Sequence, residues 1–403
     1  MKNLNDAASR PDVPRSLRRS VSWSVAGTLS HAFVQWSSLF LIARLTTPEE
    51  LGTVALGLAI TTPVFNLANL QLRTLRASDA TGLYSGRAIW AVRLVLLVVA
   101  IGVIGAISAT VGRDDRVLVW VLTWLCIGGA CDSISDVIYA ELHRKERLDI
   151  IARSTIARAV LLGTLLPLLL WTYEDVRIAT AAFATSSLVP LLILDLKYAP
   201  KFWKLGPCDA NLVGKMLTVL RDALPLGISS MLLAFNTSLP RIIVEAALDR
   251  PSLGLLALIT QVVGGGNLVI ASVIHAYSPR LANAARTGMS MQVRSLMTHL
   301  YVLTACVGGL GILGAATIGE PTLRSLFSIS VDFDSVLLIS LAAGGSLYFF
   351  SSVTRAGLIA YNIHYSALVA VLSGVVVNGV ICWVLVRSQG LIGCALGIAS
   401  GNA

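Results

Sequence analysis

Long stretches without a single charged residue recur along almost the whole chain. Arg19 and Arg44 are separated by 24 uncharged residues, and Arg250 and Arg280 by 29. A helix rises about 1.5 Å per residue, so about 20 residues cross the roughly 30 Å hydrocarbon core of a bilayer. One such stretch could be a buried helix of a soluble protein, but eleven or twelve occur here. The sequence therefore predicts a polytopic membrane protein.

Composition indicates that lipid is the solvent of this chain. Of its 403 residues, 55% are hydrophobic and only 13% are charged, whereas a soluble domain carries about 25% charged residues. Backbone polar groups in lipid must bond to one another, which leaves helices or closed barrels. Barrel strands alternate apolar and polar residues over about ten positions, and these stretches do not alternate. The predicted fold class is all-α, with about twelve transmembrane helices.

The positive charge is arranged as a topology signal. The net charge is +9, but the cations lie in short loops between apolar stretches, which excludes nucleic acid as a predicted partner. Twenty Lys and Arg residues fall on the side of the amino terminus and seven on the other side. The positive-inside rule then predicts a cytosolic amino terminus. The first apolar stretch is long and lacks a small-residue cleavage pattern, so we interpret it as a retained helix.

The predicted spans divide into two six-helix lobes around the longest cytosolic loop. We expect a cytosolic tail at 1–20, an amino-terminal lobe at 21–196, a cytosolic linker at 197–222 and a carboxyl-terminal lobe at 223–403, whose last helix is short or incomplete. No segment is long enough for a soluble catalytic domain. The predicted spans are 21–43, 52–72, 88–111, 117–140, 155–172, 178–196, 223–246, 252–278, 296–318, 335–360, 366–386 and 389–403.

A weak internal repeat supports the two-lobe division. The turn Leu45–Gly52 contains a proline and ends in Leu-Gly, and Ala55-Leu56 follows it. The turn Leu248–Gly254 has the same order of proline, Leu-Gly and Ala-Leu, at an offset of 202 to 203 positions. Six helices separate the two copies, so both lobes would run in the same direction. The sequence predicts parallel repeats about an axis normal to the membrane.

Two stretches of the first lobe resemble the amino-terminal signature of Wzx-type polysaccharide flippases. Leu39–Leu56, LFLIARLTTPEELGTVAL, contains the outer turn R-L-x-x-P-E-E-x-G, and Asn66–Ala80, NLANLQLRTLRASDA, forms the polar tip of the second helix. These flippases share a superfamily with MATE drug exporters and peptidoglycan-precursor flippases. The detailed match covers about 60 residues. It implies a two-lobed, alternating-access carrier of twelve to fourteen helices.

The resemblance also implies a cargo and a place in the cell. The expected cargo is an undecaprenyl-diphosphate-linked oligosaccharide, moved from the cytosolic to the periplasmic leaflet of the bacterial inner membrane for surface polysaccharide biosynthesis. The expected partners are this lipid-linked glycan, the bilayer and, as candidates, a polysaccharide polymerase or glycosyltransferases. The chain would be a transporter rather than an enzyme, with no cofactor. Its six cysteines show no CxxC spacing, so no metal site is predicted.

Charged side chains inside the predicted spans are candidate functional residues, because a charge in hydrocarbon is costly and usually faces a partner or a wet cavity. Asp132 and Asp136 lie four residues apart and share one face of the fourth span. The repeat predicts that Asp136 faces Arg355 across the lobes. This pair would be an inner gate or a proton-linked pair, or else a static salt bridge between helices.

The other charged candidates also lie near the ends of their spans. Arg93 and Arg158 either snorkel to the cytosolic surface or form a cationic vestibule for a diphosphate, which suits guanidinium geometry. Arg241 lies about 27 Å along the seventh span at about 1.5 Å per residue. It is predicted to pair with Glu245, four residues on, as an outer gate or an interfacial pair. The predicted ion-coupling or gate residues are Asp132, Asp136, Arg355 and Glu245.

Two helix interruptions are predicted at corresponding places in the lobes. Pro63 lies in the second span and Gly264–Gly266 in the eighth, and corresponding interruptions are a pointer to a transport site. Amides near them would bind sugar hydroxyls, or would join neighbouring helices as polar contacts. The candidate substrate-binding residues are Arg93, Arg158, Arg241, Arg355, Asn66, Asn236, Asn267, Gln35 and Gln261.

Two other functions compete with the flippase prediction. A MATE-like antiporter of small cations or drugs would need a predominantly acidic cavity, and the spans hold four arginines against three acids. A glycan polymerase or prenyl-phosphate glycosyltransferase would need large outer loops or acidic metal-binding motifs, and the sequence shows neither. The flippase is therefore the leading prediction, with the antiporter as the alternative. Ion antiport through Asp132 or Asp136 would bias its cycle.

Overall fold

The computed structural model describes residues 17–77, 79, 83–111, 115–145, 147–199, 211–321, 335–361 and 363–402. All regular secondary structure in these ranges is helical, which confirms the all-α fold class. The helices are α1 (Leu17–Leu45), α2 (Pro48–Asn69), α3 (Leu72–Ala77), α4 (Gly86–Val111), α5 (Arg116–Arg144), α6 (Leu148–Tyr173), α7 (Val176–Asp195), α8 (Leu212–Ala247), α9 (Arg250–Arg286), α10 (Ser290–Gly319), α11 (Ser335–Ala360), α12 (His364–Gln389) and α13 (Leu391–Asn402).

The long helices alternate in direction, which defines two faces of the bundle. We call the side at which α1 begins the near face and the side at which it ends the far face. All twelve predicted spans fall on helices of the structure. Among the described residues, ten helices are long and apolar enough to cross a membrane. Helix α1, with 29 residues, and α13, with only 12, are outside that set.

The predicted helix interruptions are wrong, because both helices run through them. Pro63 lies inside α2, and Gly264–Gly266 lie inside α9. Neighbouring helices can satisfy the backbone groups that a proline frees in a transmembrane helix. The irregularities instead are single π-helical turns, Leu191–Asp195 at the end of α7 and Ala315–Gly319 at the end of α10. Such turns occur frequently at functional sites.

The two far-face turns that the repeat comparison singled out are helix starts. Thr47 caps α2: its side chain accepts from the Glu50 N–H at 3.3 Å, and its own N–H donates to Glu50 Oε2 at 3.1 Å. Asp249 caps α9 by accepting from the Ser252 N–H at 2.7 Å. A proline in the first turn of each helix fits because those N–H groups have no intrahelical partner. The shared sequence pattern is therefore capping chemistry.

Helix α2 lies at the centre of the bundle. It packs against α4 and α5 on one side and against α8 and α9 on the other, and every residue in 51–57 is buried. Helix α8 is 36 residues long, well beyond the ~20 that a bilayer needs. Its first turns extend the bundle at the near face, where Val219 and Ala223 pack with Ile89 of α4. Part of the predicted 197–222 linker is thus helical, from Leu212 onward.

Candidate functional site

A group of five charged side chains, which we call the charge cluster, lies inside helices α4–α7. Its members are Arg93 on α4, Asp132 and Asp136 on α5, Arg158 on α6 and Asp195 on α7. Arg93 is seven residues from the near-face end of α4, about 10 Å at ~1.5 Å per residue. The cluster therefore lies in the near half of the bundle.

Arg93 is fully buried and joins three helices. Its Nη2 donates to Asp136 Oδ2 at 2.6 Å, and its Nη1 donates to the Asn69 side chain and to the Ala68 carbonyl oxygen. Ser133 of α5 donates to the same Asn69 Oδ1 at 2.8 Å. A guanidinium with no exposed surface is tolerated only where carboxylate and carbonyl oxygens replace its water.

Arg158 forms the second centre of the charge cluster. Its guanidinium pairs with Asp132 and with Asp195 Oδ2, the latter at 3.2 Å, and donates to Ser135 Oγ at 2.5 Å. Only 4% of Arg158 is exposed. The Tyr139 ring lies 5.7 Å from the guanidinium carbon, which places a negative π face against the cation.

Asp195 is the most enclosed acid of the group. Its Oδ2 accepts from Ser135 Oγ at 2.8 Å and lies 3.1 Å from Tyr139 Oη. Its Oδ1 is buried and has no hydrogen-bond partner in the described part of the chain. The Nδ1 atom of His31, on α1, is buried and without a partner in the same sense. Arg93 Nε and Arg158 Nε are also buried without a partner among the described residues. Unsatisfied buried groups are few in native structures, so these four atoms are available for water or a further ligand.

The charge cluster holds more negative than positive charge. Its three carboxylates face two guanidinium groups. Burying an uncompensated charge is expensive, so a proton or a monovalent cation would stabilise the group. Asp132 and Asp136 are the accessible members, with side chains 45% and 26% exposed, whereas the Asp195 side chain is 0% exposed.

A second ionic network lies at the near face of the same helices. Arg76 of α3 donates to Glu141 Oε1 at 2.6 Å and to Asp79 Oδ2 at 3.1 Å, and also contacts the Tyr84 carbonyl oxygen. Tyr84 Oη donates to Asp222 of α8 at 2.9 Å. Burial, then this hydrogen bond to Asp222, raises the pKa of Tyr84. The network joins the loop before α4 to the start of α8.

The far face is closed by two glycines packed against each other's helix. A Cβ on Gly52 of α2 would lie 2.2 Å from the Arg250 carbonyl oxygen, and a Cβ on Gly254 of α9 would lie 2.0 Å from the Pro48 carbonyl oxygen. These are separations that real side chains do not adopt, so only glycine permits this approach. Gly52 and Gly254 are 202 positions apart in the sequence, as are Pro48 and Arg250, so the two contacts are reciprocal. The reciprocal contact brings α2 and α9 together at the far face.

Arg250 reinforces this far-face closure. It donates to Glu245 Oε1 through Nε at 2.7 Å, to Asp115 Oδ2 at 2.8 Å and to Thr53 Oγ1 at 3.1 Å. Glu245 belongs to α8, Thr53 to α2, and Asp115 caps α5. One guanidinium thus ties helices from both halves of the chain.

A large pocket lies between α1 and α6 on one side and α9, α10 and α11 on the other. Its volume is about 1170 Å³, above the roughly 300–1,000 Å³ of most ligand sites. We call it the seam pocket. Its lining is apolar except for three serines, the Trp36 indole and Arg44, and it contains no carboxylate. The α1 residues that line it, Phe33 to Arg44, belong to the far half of that helix.

Comparison with known proteins identifies the family of this chain. Residues 17–285, two thirds of the chain, match the family described as polysaccharide biosynthesis protein. The chain belongs to that family. The chain is similar to the capsular polysaccharide biosynthesis protein CapF of Staphylococcus aureus. The two are 23% identical over 379 residues, which cover 93% of each chain.

The fold of this polysaccharide biosynthesis protein is that of MATE and MOP transporters. It is similar to an inward-facing MATE family transporter of the MOP superfamily, with a TM-score of 0.71, 14% identity and coverage of 96% of this chain and 95% of the other. It is also similar to a MOP superfamily transporter of Pyrococcus furiosus, with a TM-score of 0.64, 16% identity and coverage of 96% and 92%. These findings confirm the predicted resemblance and a multi-pass membrane protein.

The pairing predicted for Asp136 is not the one that this family member forms. Asp136 pairs with Arg93 of the neighbouring α4. Arg355 of α11 donates to Ser352, one turn away, at 3.2 Å, and has no ionic partner among the described residues. A cation on a neighbouring helix thus takes the place that the repeat predicted for Arg355. The snorkelling alternative for Arg93 and Arg158 is also wrong, because both guanidinium groups are buried in ion pairs.

The predicted Arg241–Glu245 pair is also absent. Glu245 bonds Arg250, which lies across the turn between α8 and α9. Arg241 has no hydrogen-bond or ionic partner among the residues that the structure describes. An i,i+4 pair on a helix contributes only about 0.2–0.5 kcal/mol, so a better-placed cation on the next helix displaces it.

Two of the five predicted amides, Gln261 and Asn236, join helices. Trp36 Nε1 donates to the Gln261 carbonyl oxygen, and Gln261 Nε2 donates to the Trp36 carbonyl oxygen, both at 2.7 Å. Asn236 contacts Asn378 and Asn402 at 3.0 and 3.2 Å. The side-chain amides of three further candidates form no hydrogen bond to another helix among the described residues. They are Gln35, which is exposed, and Asn66 and Asn267, which are half-buried.

The sequence-based candidate set omitted several residues of these networks. Asp195 ends its predicted span, and Arg250 and Asp115 lie in turns, so none of them counted as intramembrane charges. A signal for Asp195 was present: it is an isolated acid in an apolar run, one residue inside the predicted end of the sixth span. Arg250 carried no such signal, because loop arginines are common.

Proposed function

We propose that this protein is a flippase that moves an undecaprenyl-diphosphate-linked oligosaccharide from the cytosolic to the periplasmic leaflet of the bacterial inner membrane. Its amino terminus and near face would be cytosolic. The observation that carries the proposal is the conjunction of a polysaccharide biosynthesis family with a transporter fold. A glycan on a membrane lipid is the intermediate that such a family would need to move across a bilayer, because a polar glycan cannot cross hydrocarbon unaided.

The charges of the structure support an anionic lipid cargo over a cationic drug. The seam pocket has one charged lining residue, Arg44, and no acid. A cation in that pocket would have no counter-ion and would lose its hydration. This argues against the competing antiporter prediction. Any enzymatic role would need a catalytic constellation, and the ionic groups here are paired between helices.

Alternating access is supported by the far-face closure. Gly52, Gly254 and Arg250 hold α2, α8 and α9 together at that face. Opening there requires breaking the Arg250–Asp115 pair, and a transporter needs such a closure at each face in turn.

Ion coupling is assigned to the charge cluster within this proposal. Three carboxylates against two guanidinium groups leave room for one proton or cation. Asp132 or Asp136, the exposed members, would exchange it with water, and Asp195 would retain its buried bonds. The bound ion would then bias the conformational equilibrium by its different affinity for the two states.

The test is transport by the purified protein in proteoliposomes. A polyprenyl-diphosphate oligosaccharide with a fluorescent tag on the glycan is placed in both leaflets, and an impermeant quencher is added outside. If the protein flips the lipid, the quencher removes more fluorescence than the outer-leaflet lipid alone contributes. We expect flipping by the wild type, stimulation by a pH or sodium gradient, and loss of that stimulation in the Asp132→Asn, Asp136→Asn double variant.

Two outcomes would reject parts of this proposal. Absence of flipping, together with uptake of a cationic dye, would replace the flippase by the antiporter. Equal stimulation of wild type and double variant would remove Asp132 and Asp136 from coupling. The Arg355→Gln variant is the matched control, because Arg355 is another charge inside a span and lies outside the cluster.

A further inference from the structure

We propose that the seam pocket binds the hydrocarbon chain of a polyprenyl-diphosphate lipid, with the diphosphate at Arg44. The inference rests on the proposed function and adds a binding site to it. With a cytosolic near face, the site lies in the periplasmic half of the membrane. It would hold the lipid after its head group has crossed.

The polar groups of the lining are already satisfied by the protein. Ser37, Ser38 and Ser346 each donate to a carbonyl oxygen three or four residues back on their own helix, at 2.7 to 3.1 Å. The Trp36 indole N–H donates to Gln261. A sugar in this pocket would find no free donor among these groups and only the three serine oxygens as acceptors, so most of its desolvation would be uncompensated. The occupant is therefore apolar.

Arg44 selects the head group of that occupant. It lies in the last turn of α1, is exposed, lines the pocket and has no ionic or hydrogen-bond partner among the described residues. The other cation of the far-face closure, Arg250, is occupied by two carboxylates. A free guanidinium at the polar end of an apolar pocket complements a phosphate oxygen geometrically and electrically.

Glycines on α10 widen the pocket because they carry no side chain. Gly311 and Gly314 line it, and a Cβ at either position would have no atom within 4 Å. The pocket is also open at its rim, because two of its lining residues, Leu310 and Ile318, are 70% and 61% exposed. A flexible chain can therefore enter from the bilayer, with little protein rearrangement.

The structure provides a matched pair of variants. Gly311→Phe would place a ring in the pocket without meeting a neighbouring atom at its Cβ. Gly309→Phe is the control, since Gly309 is on the same helix, also has nothing within 4 Å of its Cβ position, and does not line the pocket. Arg44→Gln removes the charge, and Arg44→Lys keeps it.

The experiment measures binding of glycan-free undecaprenyl diphosphate to the purified, full-length protein by native mass spectrometry. Undecaprenol provides the chain without charge, and farnesyl diphosphate provides the charge with a short chain. We expect Gly311→Phe to weaken binding of undecaprenyl diphosphate at least ten-fold and Gly309→Phe to leave it unchanged. Arg44→Gln should lower undecaprenyl diphosphate binding to that of undecaprenol, and Arg44→Lys should retain part of the difference.

A photoreactive undecaprenyl diphosphate, carrying a diazirine on its chain, tests the wild type without any variant. We expect crosslinks to the 307–319 segment of α10. Equal binding by the two phenylalanine variants, equal binding of farnesyl diphosphate, or crosslinks confined to other helices would overturn the proposal. Flipping is measured separately: binding as expected in a protein that does not flip would leave the pocket standing and reject the proposed function.

Discussion

The two halves of this protein use different chemistry for their buried polar contacts. In α4–α7 the contacts are ionic, and the Arg93–Asp136 pair at 2.6 Å is an example. In α8, α12 and α13 they are neutral, because Asn378 donates to the side chain and carbonyl oxygens of Asn236 at 3.0 Å. Amides keep one charge state at all physiological pH values, whereas carboxylates can exchange protons or cations. We therefore expect the first half to respond to ions and the second to act as a fixed packing unit.

We expect the largest effect when only one partner of the Arg93–Asp136 ion pair is removed. Arg93→Met leaves Asp136 with an unpaired charge in a low-dielectric site and should lower the free energy of unfolding by about 3–5 kcal/mol. Denaturant titration in mixed micelles measures this. The Arg93→Met, Asp136→Leu double variant should recover part of the loss. A double variant that is less stable than Arg93→Met would show that the ion pair itself is not the source.

The contact between the two halves provides the next comparison. Gly254→Val places side-chain atoms on the Pro48 carbonyl oxygen, which a Cβ would approach to 2.0 Å, so α2 and α9 must separate. We expect at least ten-fold faster reaction of Thr53→Cys with an impermeant maleimide from the far face. Gly314→Val is the control, because its Cβ would meet nothing within 4 Å. Equal labelling in both variants would mean that the glycine contact does not close the far face.

The neutral amide cluster should be less sensitive than the ionic one. Asn378→Leu removes the bonds to Asn236, and interhelical hydrogen bonds in membranes contribute about 0.6 kcal/mol on average. We expect a loss of about 1 kcal/mol in the same titration, with transport still stimulated by the ion gradient. If Asn378→Leu lowered the free energy of unfolding as much as Arg93→Met, the ionic and neutral contacts would not differ in their contribution to stability.

The smallest effect belongs to an exposed ion pair outside the spans. The side-chain hydrogen bond from Arg177 lowers the pKa of Asp175. Because the folded-state pKa is below the unfolded value of about 3.9, this stabilisation is present above that pH and disappears as the pH falls through the folded-state pKa. Asp175→Asn should therefore change stability at neutral pH less than any other variant above, and less still below pH 3.5. A larger loss would mark Asp175 as more than a surface partner.

Helix positions were predictable from the sequence, and pairing was not. The charge-free stretches locate all twelve predicted spans on helices, and the turns before Gly52 and Gly254 contain the capping residues that begin α2 and α9. Asp132 and Asp136 were recognised as functional candidates because a charge in hydrocarbon is rare. Their partners, Arg158 and Arg93, were recognised individually, but the pairings were not.

The role of the glycine run 264–266 also could not be predicted from the sequence alone. The run Gly264–Gly266 predicted a helix interruption, whereas in the structure α9 continues and Trp36 packs against Gly264 and Gly265. Glycine lowers helix propensity in water but permits close helix packing in a membrane. Which property applies depends on the facing side chain, and that side chain is 228 residues away from Gly264 in the sequence.

The amino-acid sequence alone determined that this chain is a helical membrane protein, because each apolar span must satisfy its backbone hydrogen bonds within itself. That requirement is local and is written in consecutive residues. Only the tertiary structure decided that Arg93 meets Asp136, that Arg250 joins both halves, and that an uncharged pocket ends at Arg44. These contacts depend on the rotation and separation of helices distant in sequence, since a shift of a few ångströms decides which of several similar charges forms the pair.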